Sequence, residues 1–260
     1  MSYRFGTLYS GSTGNAAYFA NDSVFFLIDA GKNARTLQNE LAAVGLGNRK
    51  LDAVFVTHEH SDHISALPVF LKRHRVAVYL PEPSAPKLLS ALPPECQSLI
   101  RILPPMGEVE IGNVRVTSFP TLHDSCASVG YRIDVIGEET CFSVGIATDM
   151  GRVSEEVKKG LFGCESVILE SNHDIDMLKS GPYPAELKRR ILSRYGHLSN
   201  EGCAELAAYL AQNGTKRILL AHLSQENNEP GVALGEVRSC LAGTGVTVRA
   251  ASPCEPVEIL

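Results

Sequence analysis

His58, His60, Asp62 and His63 crowd into one short stretch, Thr57-His58-Glu59-His60-Ser61-Asp62-His63, directly after the apolar run LDAVFV. That run is short enough to be a buried strand. In an extended segment side chains alternate with period two, so His58 and His60 point to the same side. Asp62 and His63 then fall at the start of the next helix, where Ser61 or Asp62 is expected to cap free N–H groups. Imidazoles and a carboxylate leaving one strand end together suit zinc, manganese or iron better than calcium or magnesium. A polar loop with incidental histidines would not produce this spacing after an apolar strand.

The 260-residue chain is 44% hydrophobic and 20% charged, which excludes extensive disorder. Its length suits one large domain with a sizeable core, and with no repeat or linker-like tract we expect a single domain spanning 1–260. No apolar run approaches the roughly 18 residues of a membrane span, and the N-terminal MSYRFGTLYSGSTGN lacks a signal pattern. Seven cysteines, an odd number without a CxxC, argue against a disulfide framework and point to a reducing cytoplasm. The formal charge of −5 argues against indiscriminate coating of DNA but is compatible with a local basic groove.

The remaining pattern is mixed α/β. RFGTLY and VFFLIDA read as strands flanking the turn-like SGSTGN. Helices are expected over 34–44, ended by Gly45, and over 64–75, with VAVYL as the next strand. EVEIG, VRVTSFP, SVGYRIDVI and CFSVGIATD read as consecutive antiparallel strands. Strands SVILES, RILLAHL and VTVRA then alternate with helices over 184–193, 201–212 and 231–241. The expected architecture is two mixed β-sheets packed together and flanked by helices.

The His58–His63 motif is similar to the H-x-H-x-D-H signature of the metallo-β-lactamase superfamily. Further positions match in order, each after a strand: His123 in PTLHDS, Asp149 in GIATDMG and His222 in ILLAHLS. The resemblance covers the whole chain and implies an αββα sandwich. It also implies two divalent metal ions (Zn, Mn or Fe), one held by His58, His60 and His123, the other by Asp62, His63 and His222, with Asp149 bridging. Such a pair generates a shared hydroxide near neutral pH and neutralises charge developing on the substrate. Glu59 is not a family ligand and is read as supporting the ligands or as solvated.

Residue identity selects among branches. His60 stands where the flavodiiron branch has Glu, and Asp149 where the true β-lactamases have Cys. Leu169-Glu170-Ser171-Asn172-His173-Asp174 and Gly196-His197-Leu198-Ser199-Asn200 resemble the Glu and His motifs of tRNase Z-type phosphodiesterases. In those enzymes the Glu orients a His that protonates the departing oxygen, help typically worth about 10²–10⁴-fold. The expected catalytic group is therefore Asp62, Glu170 and His197, with Asp62 also among the ligands. Expected substrate contacts are Asn172, His173, Lys188, Arg194 and Ser199, the cations belonging to the basic stretch ELKRRILSR. Taken in order, SGSTGN, THEHSDH, ESNHD, GPYP, GHLSN and AHLSQENN resemble the YycJ/WalJ branch, cytoplasmic enzymes regarded as 5′-to-3′ DNA exonucleases linked to mismatch repair. The short spans from His123 to Asp149 and from Asp149 to His222 leave no room for a tRNA-clamping arm or an inserted nuclease domain. The expected function is a two-metal phosphodiesterase engaging a DNA 5′ end, in which a metal-bridging hydroxide attacks phosphorus. Its alternatives are a small-molecule or cyclic phosphodiesterase and a non-catalytic metal-binding scaffold.

Overall fold

Phe25, Phe26, Leu27 and Ile28 are all buried, although a strand presents alternate side chains to opposite faces. Both faces of this strand must therefore be covered, and the layers of the computed structural model show by what. The structure describes residues 3–137 and 142–260. One sheet contains β1 (Arg4–Tyr9), β2 (Ala16–Ala20), β3 (Phe25–Ile28), β4 (Ala53–Phe55), β5 (Ala77–Leu80) and β6 (Ile100–Ile102). The other contains β7 (Glu108–Ile111), β8 (Val114–Thr121), β9 (Ser128–Val135), β10 (Phe142–Ala147), β11 (Ser166–Glu170), β12 (Arg217–Ala221) and β13 (Thr247–Ala250). A final strand, β14 (Val257–Glu258), returns to pair with β1.

The orders are β14-β1-β2-β3-β4-β5-β6 and β13-β12-β11-β10-β9-β8-β7. Each sheet is mixed. Neighbours from β14 to β3 are antiparallel and those from β3 to β6 parallel. Neighbours from β7 to β10 are antiparallel and those from β10 to β13 parallel. Phe26 and Ile28 enter the layer between the sheets, where Phe55 packs against Phe26 and Tyr131 at ring-centroid distances of 5.1 and 5.4 Å. Phe25 and Leu27 enter the outer layer formed with helices Ala34–Ala43 and Leu67–Arg73. Helices Glu155–Leu161, Asn200–Gln212 and Pro230–Cys240 cover the second sheet's outer face. This is the two-sheet sandwich flanked by helices that the sequence implies.

Several local expectations change. The helix expected over 64–75 is two pieces, Ser61–Ile64 and Leu67–Arg73. Pro68 has no N–H to continue a helix and suits the first turn of a new one, and the Ala66 N–H bonds outward to the Ala30 carbonyl at 2.9 Å. Neither Ser61 nor Asp62 caps the first piece; its N-cap is His60, without a side-chain bond. Strand β2 was not anticipated, because alanines carry little strand preference of their own. Cys141, at the start of the run read as CFSVGIATD, lies outside the described residues. The described cysteines are all unpaired, and among the described residues no helix is long and apolar enough to cross a membrane.

Candidate metal centre

The parallel strands β4, β11 and β12, together with β8 and β10, end at one edge of the sandwich, and the titratable residues leave from those ends. His58, His60 and His123 bring donor atoms within 4.8 Å of one another. Asp62, His63 and His222 form a second such group, and Asp149 joins both regions through His58 and His63 on one side and His222 on the other. The His63 and His222 Nε2 atoms lie 3.4 and 3.3 Å from the two carboxylate oxygens of Asp149. Asp149 and His222 take left-handed backbone conformations, with φ of 57° and 56°. Such conformations cost non-glycine residues energy and collect at functional sites; here they turn each side chain sharply off its strand.

Electrostatics of the cluster is dominated by mutual dependence. Burial alone would favour neutral Asp149, yet His222, His63 and His58 around it hold its carboxyl well below the usual range. Burial likewise opposes charge on His222, but the neighbouring Asp149 and Asp62 carboxylates lift it to about 9. His58, with burial as the dominant influence, is pushed well below its ordinary value and stays neutral. Buried His58 Nε2, His222 Nε2 and Asp149 Oδ2 have no hydrogen-bond partner. Buried polar atoms are normally satisfied, and neutral imidazole nitrogens facing carboxylates are the donors that divalent transition metals take. The residues therefore fit divalent cations.

Support around the donors is extensive, and part of it was not read from the sequence. Asp29, just after β3 with φ of 62°, accepts from His63 Nδ1 at 2.7 Å through Oδ2 and from the Thr57 N–H at 2.8 Å through Oδ1. This fixes the ring so that Nε2 faces the cluster. His123 Nδ1 donates to the Gly196 carbonyl at 3.0 Å, with the same consequence. The loop SGSTGN is a strut: Ser10 Oγ accepts the His222 N–H at 2.9 Å, and Asn15 Nδ2 lies 3.3 Å from Asp62 Oδ2. Gly31 allows the helix start to sit this close, since a Cβ there would lie 1.9 Å from the Asp62 carbonyl oxygen. The only prior signal for Asp29 was an acid ending an apolar strand run.

Glu59 is buried rather than solvated: it accepts from Ser84 Oγ at 2.7 Å and from the Cys126 N–H at 2.9 Å, tying down the loop that carries His123. Glu170 is fully buried, with Oε1 2.7 Å from His197 Nδ1 and Oε2 accepting the Met150 N–H at 2.7 Å. His197 keeps 20% side-chain exposure and stacks on His222 at 5.1 Å. Its Nε2 is thus left toward the open side of the cluster. Ser171, Asn200 and Asn228 interlock beneath: Ser171 Oγ donates to Asn200 Oδ1 at 2.7 Å, and Asn228 Nδ2 donates to the Ser171 carbonyl at 2.9 Å. Three separate motifs are joined by these bonds.

The expected substrate contacts divide. Asn172 Nδ2 donates to the His222 carbonyl at 2.8 Å and faces His222 Nδ1 at 3.2 Å, so it holds that histidine. Lys188 is turned away to the Lys179 carbonyl at 2.7 Å, and Arg194 lies over the Tyr195 ring at 4.6 Å. Neither borders the cluster. From the same basic stretch it is Arg190 that reaches inward, pairing with Asp124, whose Oδ1 lies 3.4 Å from His123 Nε2. Ser199 accepts from the Gly202 N–H at 3.2 Å as N-cap of helix Asn200–Gln212. His173 is buried, neither ring nitrogen has a partner, and burial pushes it down to about 4.

The chain is similar to known proteins. Residues 25–223 match the family model described as Beta-lactamase superfamily domain. The chain is 34% identical to Exodeoxyribonuclease YycJ of Bacillus anthracis, across 95% of this chain and 92% of that protein. It is 34% identical to Exodeoxyribonuclease WalJ of Streptococcus pneumoniae, across 88% and 84%. The metallo-beta-lactamase fold protein YhfI of Bacillus subtilis superposes with a TM-score of 0.73 at 17% identity, covering 98% of this chain and 99% of that one. The chain therefore belongs to the beta-lactamase superfamily, in the branch that contains YycJ and WalJ, and is a metal-dependent hydrolase.

Proposed function

We propose that the protein is a two-metal phosphodiesterase acting on nucleic acid, specifically a 5′-to-3′ DNA exonuclease of the cytoplasm linked to mismatch repair. The observation that carries the phosphodiesterase reading is the Glu170–His197 pair, 2.7 Å apart, beside the histidine–aspartate cluster. The exodeoxyribonuclease names of the YycJ and WalJ relatives support DNA as the substrate. In this reading the whole of 1–260 works as one domain. His58, His60 and His123 would hold one cation and Asp62, His63 and His222 the other, with Asp149 available to both. Zinc, manganese and iron all suit such donors.

When bound, a pair of divalent cations supplies an activated water and neutralises charge on the phosphoryl oxygens. The chain's own residues do the rest. Glu170 fixes Nδ1 of His197, so that Nε2 carries the transferable proton. As the water oxygen bonds to phosphorus and the P–O3′ bond breaks, Nε2 protonates O3′. Sugar alkoxides are poor leaving groups, so this protonation matters to the barrier. Asp124 and Arg190 flank the entrance, where the guanidinium is placed to meet a phosphate.

The test is duplex DNA labelled at its 5′ end, incubated with protein reconstituted with manganese, zinc or iron. Release of short 5′-labelled products is expected. Intact label with every metal, alongside turnover of a cyclic nucleotide, would replace this reading with a small-molecule phosphodiesterase.

A further inference from the structure

Next to the metal cluster, on the side of His197, lies a cavity of about 510 Å³ that the chemistry described above does not use. Arg152, Lys158, His173, His197, Leu206 and Tyr209 are among its walls. Its volume is within the roughly 300–1,000 Å³ of small-molecule sites and far below what a duplex would need. The first turn of helix Asn200–Gln212 borders it through Ser199 and Gly202. That puts the positive end of a long helix and two cationic side chains, against one acid, Glu205, around one half-open space. Lys158 also reaches over the Tyr209 ring, 5.7 Å from its centroid. Tyr209 and Leu206 give an apolar wall on which a base can pack. His173 adds the second, independent sign of a ligand: the residue lines this wall and is only 1% exposed, with both ring nitrogens unpartnered.

We propose that this cavity is a mononucleotide subsite, binding the 5′-terminal deoxynucleotide of the strand as the leaving group of each cleavage. The proposal rests on the exonuclease reading and deepens it. His197 protonates the leaving oxygen, so the leaving part of the substrate must lie on the His197 side, where the cavity is. In the cleavage, the water oxygen becomes bonded to phosphorus and the P–O3′ bond breaks. His197 gives its proton to O3′, freeing a deoxynucleoside 5′-monophosphate with a 3′-hydroxyl. The shortened strand retains the new 5′-phosphate, and the water's proton passes to solvent. The 5′-phosphate of the leaving unit meets Arg152 and Lys158, its base lies against Tyr209 and Leu206, and His173 supplies a donor and an acceptor. The subsite has room for one nucleotide at a time, which makes release stepwise.

The test is calorimetric binding of dAMP and of inorganic phosphate to the manganese-loaded protein, measured in parallel. Phosphate reports on the metal centre, so the ratio of the two affinities isolates the cavity. The wild type is expected to bind dAMP at least about tenfold more tightly than phosphate. Arg152→Ala and Lys158→Glu, both at the solvent side of the wall, are each expected to cut that ratio several-fold, with melting temperatures confirming folded variants. Equal affinity for dAMP and phosphate, or a ratio that survives both substitutions, overturns the subsite even if DNA is degraded. A ratio behaving as expected in a protein that leaves 5′-labelled duplex intact supports the subsite and overturns the exonuclease reading instead.

Discussion

Both carboxylate oxygens of Glu170 are committed: one to His197 Nδ1 and the other to the Met150 N–H, each at 2.7 Å. The carboxylate is thus held by the backbone just after Asp149, and it holds the imidazole in turn. We expect His197→Ala to keep its metal content while slowing cleavage of an unactivated DNA phosphodiester by about 10²–10⁴-fold. Glu170→Gln should give a smaller loss, because an amide can still meet Nδ1 but cannot stabilise an imidazolium. Parallel rates on bis(p-nitrophenyl) phosphate supply the check, since an aryl leaving group needs little protonation. An equal loss on both substrates would remove His197 from the role of acid.

Asp149 is a carboxylate placed between the two donor groups, and its Oδ2 is buried without a hydrogen-bond partner. Asp149→Ala is expected to abolish activity and to lower bound metal below one equivalent after reconstitution, measured by elemental analysis. Asp29→Ala acts at one remove. It frees His63 Nδ1 and the Thr57 N–H together, and loss of such an outer partner typically weakens metal affinity about 10–100-fold. Competition against a chelator reads the difference; unchanged affinity would reduce Asp29 to a fold-stabilising residue.

The contrast between these two aspartates shows what a sequence can reveal here. Asp149 is legible because His58, His60, His63, His123 and His222 make a family pattern in which each residue follows a strand. Asp29 belongs to no spacing of that kind, and its role depends on its left-handed backbone and on the pairing of β3 with β4, which is a tertiary fact. Glu59 stays open between a supporting and a solvated residue for the same reason: its partners Ser84 and Cys126 are distant in the chain. The alternation of strands and helices gave the two sheets, whereas the break at Ser65–Ala66 turned on one outward bond to Ala30. The basic stretch was recognisable as charge, but which cation turns inward was not. Helix phase selects Arg190 for Asp124 and sends Lys188 to Lys179.

Phe55 precedes the ligand loop by two residues and is fully buried, packed on Phe26, Tyr79 and Tyr131. Truncating a buried aromatic costs about 3–5 kcal/mol. Phe55→Ala should therefore lower the unfolding free energy obtained from urea denaturation by an amount of that order, shifting the midpoint down, and added metal should recover part of it by binding only the folded state. A midpoint within experimental scatter of wild type would mean that the layer between the sheets repacks around the gap.

The linked protonation of the cluster makes the metal-free protein sensitive to alkali in a defined window. In the folded chain His222 is lifted from 6.5 to about 9 by Asp149 and Asp62 against the opposing effect of burial. A raised folded value means that the proton is bound more tightly in the folded state. Its stabilising contribution is complete below about 6.5 and disappears as pH rises through about 9. Chelator-treated protein should thus melt at progressively lower temperature between those two values. With divalent cations bound, His222 would act as a ligand without its proton, and the decline should largely vanish. Thermal melts across that range, with and without chelator, measure both curves. Parallel curves would show that the Asp149–His222 contact contributes nothing to the pH dependence of stability.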